Sequence, residues 1–584
     1  MWMKTTLAER IRLGGSGRLE AFRLRVSRTD AIPELCLLGV LSGVLAAAVI
    51  IAFRSVIELA QDAFLPHYYD YESLGSLWRL ALPVAGGTVL GLLFLAVPEA
   101  MRRVGVPHII ERLDYHQGRL PWGNAVLQFV GGAVALICGH SVGREGPSIH
   151  LGAASSNVPA QWLGLPNNAL RVVAACGAAA GIAATFNTPL AGVAFAMEVL
   201  MMESTVAAFA PVILATVSAT TLTRFAFGED LAFSVPPLSM GSLTELPLIL
   251  LMGMALGAVA AAFIRLLRLF YQRGQALPLW LRPIAAGALV GLIALAVPQV
   301  MGIGYDTVDD ALRGNLAIWL MAAMVLVKVV ATAAAVGLGV PGGLIGPSLV
   351  IGAMGGGLFG AVAHHFDLFA GVSVGFHVML GMGAMMAGAL QAPLAALLAI
   401  LELTDNPNII FPGMLAVVAA TLTSGYLHGR ESVFQALLRA MGVDHHNDWV
   451  ARGLRQIGVA AVMNRSFVQL PPRTERLQAE QALADQPRWI LLRGDDAPAL
   501  LMPAVDLVHA LQDQPDATEL DLLAMPAGRL TAASVDFQAS LQEAQEEIQR
   551  TGAEALYVTR LTVPALPRVY GVLTREDILS GYRY

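Results

Sequence analysis

The chain reads Gly143-Arg-Glu-Gly-Pro-Ser-Ile-His-Leu-Gly-Ala153, and 200 residues later it reads Gly343-Leu-Ile-Gly-Pro-Ser-Leu-Val-Ile-Gly-Ala353. Both stretches lie inside long apolar regions, and each combines a glycine turn, a proline expected at the first helical position and a run of small residues. The first N–H groups of a helix have no partner within the helix, and that end is electropositive. Two such helix starts at membrane depth predict a place where an anion can bind.

The echo belongs to a longer internal repeat with nearly constant spacing. The other matched positions are Gly91–Pro98 with Gly291–Pro298, Pro83 and Gly87 with Pro283 and Gly287, and Pro189 and Glu198 with Pro393 and Glu402. Several matches in register indicate two homologous halves, over about 31–225 and 240–430. An odd number of membrane crossings in each half would make the halves inverted.

The composition excludes an ordinary soluble domain, because 56% of the residues are hydrophobic and only 14% are charged. Many apolar runs reach the roughly 20 residues that a helix needs to cross a bilayer. Others, as at 126–140 and 337–347, are shorter or broken by glycine and proline, and such backbone must be buried in protein or line a cavity. The predicted fold class is an all-α polytopic membrane protein with two inverted halves and broken helices.

The chain ends differ from this apolar middle. Seven Lys or Arg residues fall within the first 28, with no apolar core among them, so we expect no signal peptide and cytoplasmic termini. The three cysteines have no metal spacing, and no basic cluster is large enough to suggest nucleic acid. The predicted domains are a basic segment over 1–30, a transmembrane domain over 31–430, a linker over 431–454 and an α/β tail over 455–584.

The tail contains β-α-β patterns, with strands expected at 488–493, 555–559 and 568–573 and helices at 502–511, 541–551 and from Arg575. The stretch Gly571-Val-Leu-Thr-Arg-Glu-Asp577 resembles the closing motif of a CBS domain, in which Thr574 and Asp577 face an adenine nucleotide. The equivalent stretch of the first unit keeps Asp506 but lacks the threonine. A structural role for this pair is favoured over nucleotide sensing, since an Asp near a helix start also serves as a cap.

Taken together, the motif Gly143–Pro147, the loop Gly342–Pro347, the two-half layout and the CBS-like tail resemble the CLC family, and most of all bacterial voltage-gated-type chloride channel proteins. The resemblance implies a homodimer in the cell inner membrane, with one pore per subunit for chloride or another small anion and no cofactor. It also implies that Glu145 is the gate, whose carboxylate occupies an anion site when ionised and leaves when protonated or displaced. The alternative is that Glu145 pairs with Arg144.

The same resemblance places the anion site on three loops and one later helix. The usual Gly-Ser-Gly-Ile-Pro loop is Arg103-Val-Gly-Val-Pro107 here, the usual aromatic of the third loop is Ile345, and the usual tyrosine is Phe434. Without the serine and tyrosine hydroxyls, the site depends on backbone N–H groups, which puts strict selectivity for chloride over nitrate in doubt. The expected anion-binding residues are Val104, Gly105, Val106, Pro107, Gly143, Arg144, Gly146, Pro147, Leu344, Ile345, Gly346, Pro347 and Phe434.

Exchangers of this family typically carry a second glutamate that feeds protons to the gate, and the matching position here is Val199. Valine cannot carry a proton, so this position favours a gated passive chloride channel over a chloride/proton antiporter. The neighbouring Glu198 matches Glu402 in the second half, which predicts a shared structural role at a helix end. No catalytic or metal-ligating residue is predicted, because zinc, serine-hydrolase and phosphate-loop signatures are missing. A membrane sensor regulated through the tail is a remote alternative.

Overall fold

The structure is a computed structural model that describes residues 19–28, 31–66, 70–201, 206–228, 233, 238–369, 371–443, 449–493, 499–515, 517–563 and 566–581. Most of the predicted basic segment over 1–30 therefore lies outside the described residues. The described residues form two compact units. One comprises Leu35–Ala160 and Val172–His446, and the other belongs to Met1–Glu34, Gln161–Arg171 and Asn447–Tyr584.

The first half of the chain is helical. Its helices are α1 over residues 19–26, α2 (Ile32–Asp62), α3 (Ser76–Ala96), α4 (Gly105–Tyr115), α5 (Trp122–Ile137), α6 (Glu145–Trp162), α7 (Asn167–Phe186), α8 (Pro189–Phe195), which continues as a π-helical turn (Ala196–Met201), and α9 (Val206–Phe227).

The second half repeats this order. Its helices are α10 (Leu246–Gly274), α11 (Leu281–Ala296), α12 (Tyr305–Leu312), α13 (Ile318–Gly337), α14 (Ile345–His365), α15 (Val374–Leu390), α16 (Pro393–Thr404), α17 (Ile410–His428) and α18 (Val433–Ala440). Eight helical stretches in the described chain are long and apolar enough to cross a membrane. The shorter α5, α8, α11, α15 and α16 are apolar as well, which agrees with the predicted broken helices.

Matched helices of the two halves run in opposite directions. Gly87 of α3 packs on the carbonyl of Pro283 in α11, and Gly287 of α11 packs on the carbonyl of Pro83 in α3. A Cβ added at either glycine would lie 2.3 or 2.1 Å from the facing oxygen. Residues later in one helix meet residues earlier in the other, so the helices are antiparallel. Since α3 and α11 are equivalent elements, the two halves are inverted.

One detail of the helix starts differs from the sequence prediction. Helices α6 and α14 begin at Glu145 and Ile345, so Pro147 and Pro347 are third helical residues and not first ones. The first-turn N–H groups have no acceptor within the helix, and a proline is therefore tolerated anywhere in that turn. In each helix the backbone N–H of the serine after the proline is the first to find a carbonyl four residues earlier. Ser148 donates to Arg144 and Ser348 donates to Leu344, both at 3.0 Å.

The tail is an α/β unit whose two β-α-β-β patterns share one sheet. Its elements are α19 (Trp449–Arg455), α20 (Val459–Val462), β1 (Phe467–Leu470), β2 (Arg473–Glu475), α21 (Arg476–Ala484), β3 (Trp489–Leu492), β4 (Leu500–Pro503), α22 (Ala504–Asp513), β5 (Glu519–Asp521), β6 (Leu530–Asp536), α23 (Leu541–Thr551), β7 (Ala555–Val563), β8 (Leu566–Thr574) and α24 (Arg575–Gly581). The helix expected at 502–511 begins two residues later, because Leu500–Pro503 pairs as a strand with β3.

The sheet order β1-β3-β4-β6-β7-β8 reflects the internal repeat of the tail. In each pattern a parallel pair, β1 with β3 or β6 with β7, is followed by an antiparallel strand, β4 or β8. The segment predicted as a linker over 431–454 forms α18 and the start of α19 in its described part. A capping box between Ser432 and Gln435 sets the first residue of α18.

Candidate functional site: an anion cage at two helix starts

The starts of α6 and α14 face one another across a two-residue bridge. Gly143 and Gly343 exchange both backbone hydrogen bonds, at 2.8 and 2.6 Å, as the only antiparallel pair of this unit's described residues. A Cβ on Gly343 would lie 2.5 Å from the backbone N of Gly146, and a Cβ on Gly143 would lie 1.9 Å from Oε2 of Glu145 and would displace that side chain. Gly146 also packs closely on this bridge, because a Cβ added to Gly146 would lie 2.7 Å from the Cα of Gly343. The repeated glycines therefore bring two electropositive helix ends together.

The carboxylate of Glu145 lies between these helix ends and is completely buried. Its Oε1 accepts a hydrogen bond from the hydroxyl of Tyr305 at 2.7 Å, and its Oε2 accepts one from the N–H of Gly346 at 3.1 Å. A buried charge is costly unless hydrogen bonds satisfy it, and here one donor comes from the first turn of α14. The carboxylate thus occupies a position suited to a small anion. We call this position, bounded by Gly143, Gly343, Gly346 and Tyr305, the cage.

The neighbouring Arg144 has contacts of its own, which bear on the alternative that it pairs with Glu145. Its Nη2 donates to the carbonyl of Thr185 at 3.1 Å, and its guanidinium carbon lies 6.0 Å from the ring centre of Tyr305. Glu145 is held by Tyr305 and Gly346 instead.

Beside the cage lies a cavity of about 470 Å³. It brings together the predicted residues Val104, Gly105, Val106, Pro107, Gly146, Leu344, Ile345 and Phe434. The other predicted residues, Gly143, Arg144, Pro147, Gly346 and Pro347, are not among its lining residues and belong to the cage or to the flanking turns of α6 and α14. Gly343 is common to both, since it lines the cavity and its ideal Cβ would lie 3.0 Å from Oε2 of Glu145.

Four helices begin at the cavity or the cage: α4, α6, α14 and α18. The residues that precede α4 and α14, Val104 and Leu344, provide no side-chain cap, and in α14 the carboxylate of Glu145 binds the N–H of Gly346. Val104 precedes α4, and Phe434 is the second residue of α18, where its ring packs edge-on against Phe195 at 6.4 Å. Neither side chain offers a hydrogen-bond donor to the cavity.

Two polar residues of the site were missed by the sequence reasoning. Tyr305 reaches Glu145 from the first position of α12, directly after Gly304, whose φ of +91° marks a tight turn. Gln128 of α5 lines the cavity with its side-chain oxygen 3.9 Å from the ideal Cβ of Gly105. The available signals were the glycine-flanked tyrosine at membrane depth and a glutamine inside an apolar helix.

The two histidines near the helix starts form a pair. Nδ1 of His108 in α4 lies 3.1 Å from Nε2 of His150 in α6, and the rings meet edge-on at 5.2 Å. Both are buried, so this pair joins α4 and α6 within two turns of their first residues.

Val199 lies in the π-helical turn after α8 and is buried, with 5% of its surface exposed. The preceding Glu198 accepts from the N–H groups of Leu394 and Ala395 at 3.1 and 2.7 Å, at the start of α16. In return, Glu402 accepts from the first N–H groups of α8 at 2.9 and 2.8 Å. Each half therefore caps a helix of the other, which confirms the helix-end role predicted for both glutamates.

In the tail, Thr574 and Asp577 bind one another. Oδ2 of Asp577 accepts from the N–H and from the hydroxyl of Thr574, both at 2.8 Å. These bonds close the first turn of α24 and fit the capping role. Asp506 of α22 accepts from the N–H of Gly528 at 3.0 Å.

Comparison with known proteins places this architecture in a family. The family model described as voltage gated chloride channel matches residues 86–425. Chloride channel protein CLC-f of Arabidopsis thaliana is 33% identical over 69% of this chain, and the match spans 56% of the plant protein. H(+)/Cl(-) exchange transporter ClcA of Yersinia pestis bv. Antiqua is 29% identical over 73% of this chain and 92% of its own length.

Among solved structures, a eukaryotic CLC transporter superimposes with a TM-score of 0.56 at 20% identity, over 96% of this chain and 98% of that chain. The likeness shows a shared fold that includes the α/β tail. These matches show that the chain belongs to the CLC family of chloride channels and transporters, and is a multi-pass membrane protein of anion transport.

Proposed function

We propose that the protein exchanges chloride for protons across a membrane, and that Glu145 both blocks the anion path and carries the proton. The observation that carries this proposal is the placement of its carboxylate, fully buried and bound by the N–H of Gly346 and the hydroxyl of Tyr305. A chloride ion and an ionised carboxylate carry the same charge, so the two compete for the electropositive N–H groups at these helix ends.

The cycle follows from that competition. Protonation neutralises Glu145 and weakens its attraction to the helix ends, so the side chain can leave and an anion can enter from the adjacent cavity. When the anion has left, the deprotonated carboxylate returns. Exchange requires that Glu145 takes its proton from one side of the membrane and releases it to the other, so that each cycle moves one proton against the direction of the anion. The exchange-transporter name of the Yersinia relative supports this reading.

Passive conduction is the second candidate, and one residue favours it. Val199 stands where exchangers of this family carry an acid, and it is buried beside Glu198, whose carboxylate caps α16. If no other group brings protons to Glu145, the gate opens and closes without coupling and the protein is a gated channel.

The remaining features are proposals that rest on the family resemblance. We place the protein as a homodimer in a bacterial inner membrane, with both termini in the cytoplasm. We assign it no enzymatic activity, and we assign the CBS-like tail a structural role and not adenine-nucleotide sensing. Support for the last point comes from Thr574 and Asp577, whose polar atoms bind one another.

The deciding experiment uses purified protein in liposomes with a chloride gradient, while external chloride and internal pH are recorded together. Exchange predicts protons driven uphill at a fixed ratio to chloride, and Glu145→Gln should abolish the proton movement. Glu58→Gln is the matched control, because Glu58 pairs with Arg54 one turn away on α2. Passive chloride loss without uphill protons would make the channel reading correct, and unchanged flux in Glu145→Gln would remove Glu145 from the gate.

A further inference from the structure

The central cavity lacks the side-chain donors expected of it, because Val104 and Phe434 are both apolar. It contains one polar side chain that is fully enclosed. Gln128 has 1% of its surface exposed, and its side-chain oxygen lies 3.9 Å from the ideal Cβ of Gly105. The oxygen therefore lies beside the first residue of α4, and a half-turn of the amide about its last side-chain bond would bring the nitrogen to that position.

The amide of Gln128 has no hydrogen-bond partner for either its nitrogen or its oxygen among the residues that the structure describes. Such a group is costly to bury, so a water molecule or a bound ligand is expected to satisfy it. One turn earlier on the same helix, Asn124 lacks a partner for its side-chain oxygen only. The amide nitrogen of Asn124 donates to the carbonyls of Ala100 and Arg103, at 2.9 and 2.8 Å.

The surroundings favour an anion as the missing partner. The helix starts at Gly105 and Ile345 receive no cap from the residues that precede them, and both Gly105 and Ile345 line this cavity. Helix starts are electropositive, and the three arginines of the lining, Arg102, Arg103 and Arg282, outnumber its one carboxylate, Glu99. An amide N–H₂ supplies two donors and no charge, which suits a small monovalent anion already attracted by the helix ends.

We propose that the amide nitrogen of Gln128 is a ligand of the transported anion in the cavity and takes the place of the hydroxyl donors that this chain lacks. The inference deepens the proposed function, since it assigns a ligand to the same transport path. It also accounts for the unsatisfied amide, which gains its partner when chloride binds.

The test compares Gln128→Leu with Gln61→Leu. Gln61 is an equally buried amide, but its nitrogen already donates to the hydroxyl of Tyr71 at 2.8 Å and it does not line the cavity. Chloride binding to the detergent-purified full-length chain is measured by isothermal titration calorimetry. We expect Gln128→Leu to bind chloride about three- to tenfold more weakly, the loss of one neutral hydrogen bond, and Gln61→Leu to bind as the wild type does.

Thermal unfolding in chloride-free buffer supplies the second readout. Leucine removes an unpaired amide at position 128, so that variant should unfold at the same temperature as the wild type or higher, whereas Gln61→Leu should unfold lower. Unchanged chloride binding in Gln128→Leu, an equal loss in both variants, or a Gln128→Leu protein that fails to fold would overturn the inference. Proton-coupled transport by the wild type in liposomes tests the proposed function separately, so either proposal can fail alone.

Discussion

At the scale of single residues, the proposed function makes the carboxylate of Glu145 and the incoming anion competitors for one position. Of the two donors that hold Glu145, the N–H of Gly346 is fixed by the backbone, while the hydroxyl of Tyr305 depends on one side chain. Tyr305 is itself held by the edge-on ring of Phe233 at 5.3 Å and by Phe186 at 6.3 Å. The two rings fix the direction of the hydroxyl, which makes Tyr305 a positioning residue for the carboxylate of Glu145.

Replacing Tyr305 by phenylalanine should make the gate leave more easily. A hydrogen bond to a charged group contributes ~1.5–3 kcal/mol, so chloride should compete with Glu145 about tenfold or more better. We expect a lower apparent Kd for chloride in calorimetry and faster chloride efflux from liposomes.

Tyr71→Phe is the control for that change. Tyr71 is another buried tyrosine of the same unit, and its hydroxyl donates to the carbonyl of Leu136 at 2.6 Å. This variant should lose stability and keep the wild-type chloride affinity. Equal affinities in Tyr305→Phe and the wild type would show that the hydroxyl does not hold the gate.

At the scale of elements, helices of one half are completed by the other. Glu198 and Glu402 each supply two acceptors to the start of a helix about 200 residues away in the chain, α16 or α8. The arrangement needs both halves in register. The glycines of α3 and α11 make a second set of reciprocal contacts.

Substituting Glu198 or Glu402 by glutamine should cost similar amounts of stability. Each change removes one charge from a helix start, about 0.3–2 kcal/mol, and leaves one carbonyl acceptor. Both variants should unfold a few degrees lower in detergent, and both should keep the wild-type ratio of chloride to protons in liposomes. Loss of proton movement in Glu198→Gln alone would mean that Glu198 carries the proton that Val199 cannot.

The repeat and the tail were predictable because their signals are local. The helix expected at 541–551 is α23, with the same bounds, since a capping box at Ser540 and the left-handed Gly552 mark both ends. Inversion of the halves required contacts between α3 and α11, and no local pattern records which helices touch. The strand over Leu500–Pro503 was missed because its length and composition do not distinguish it from the first turn of a helix.

Within the site, Glu145 was predictable from its motif, whereas its partners were not. Tyr305 lies 160 residues away in the chain, and only the packing of α12 brings its hydroxyl to the carboxylate. The direction of the Gln128 side chain depends in the same way on how α5 meets the start of α4. The sequence shows that Glu145 and Gln128 are costly to bury in an apolar region, but only the packing of the helices shows which groups surround them.

At the scale of the whole molecule, the chain passes between its two compact units more than once. The connection Gln161–Arg171, between α6 and α7, belongs to the unit that contains the tail. Within that unit, Glu543 of α23 accepts from the side chain of Asn167 at 2.8 Å and from Arg171 at 3.4 Å. It also accepts from the N–H of Ser540 at 3.1 Å, as part of the capping box.

Glu543→Ala should loosen this connection. The change removes the acceptor for all three donors, so amide hydrogen exchange should quicken over residues 161–171 and at the start of α23. Glu547→Ala is the matched control, because Glu547 lies one turn later on α23 and pairs with the exposed Arg550. Equal exchange rates in the two variants would show that Glu543 does not secure the connection.

The reciprocal caps also set an order of events during synthesis. The N–H of Leu190 leaves the ribosome 212 residues before Glu402, which is its acceptor in the finished fold. At typical rates of translation that interval is roughly 10 to 40 s. Throughout it, the first half must stay in the membrane with one helix start still uncapped. The nascent chain therefore cannot complete the cap of α8 until its second half has been made. A ribosome that stalls between residues 198 and 402 leaves a fragment in which the start of α8 has no cap.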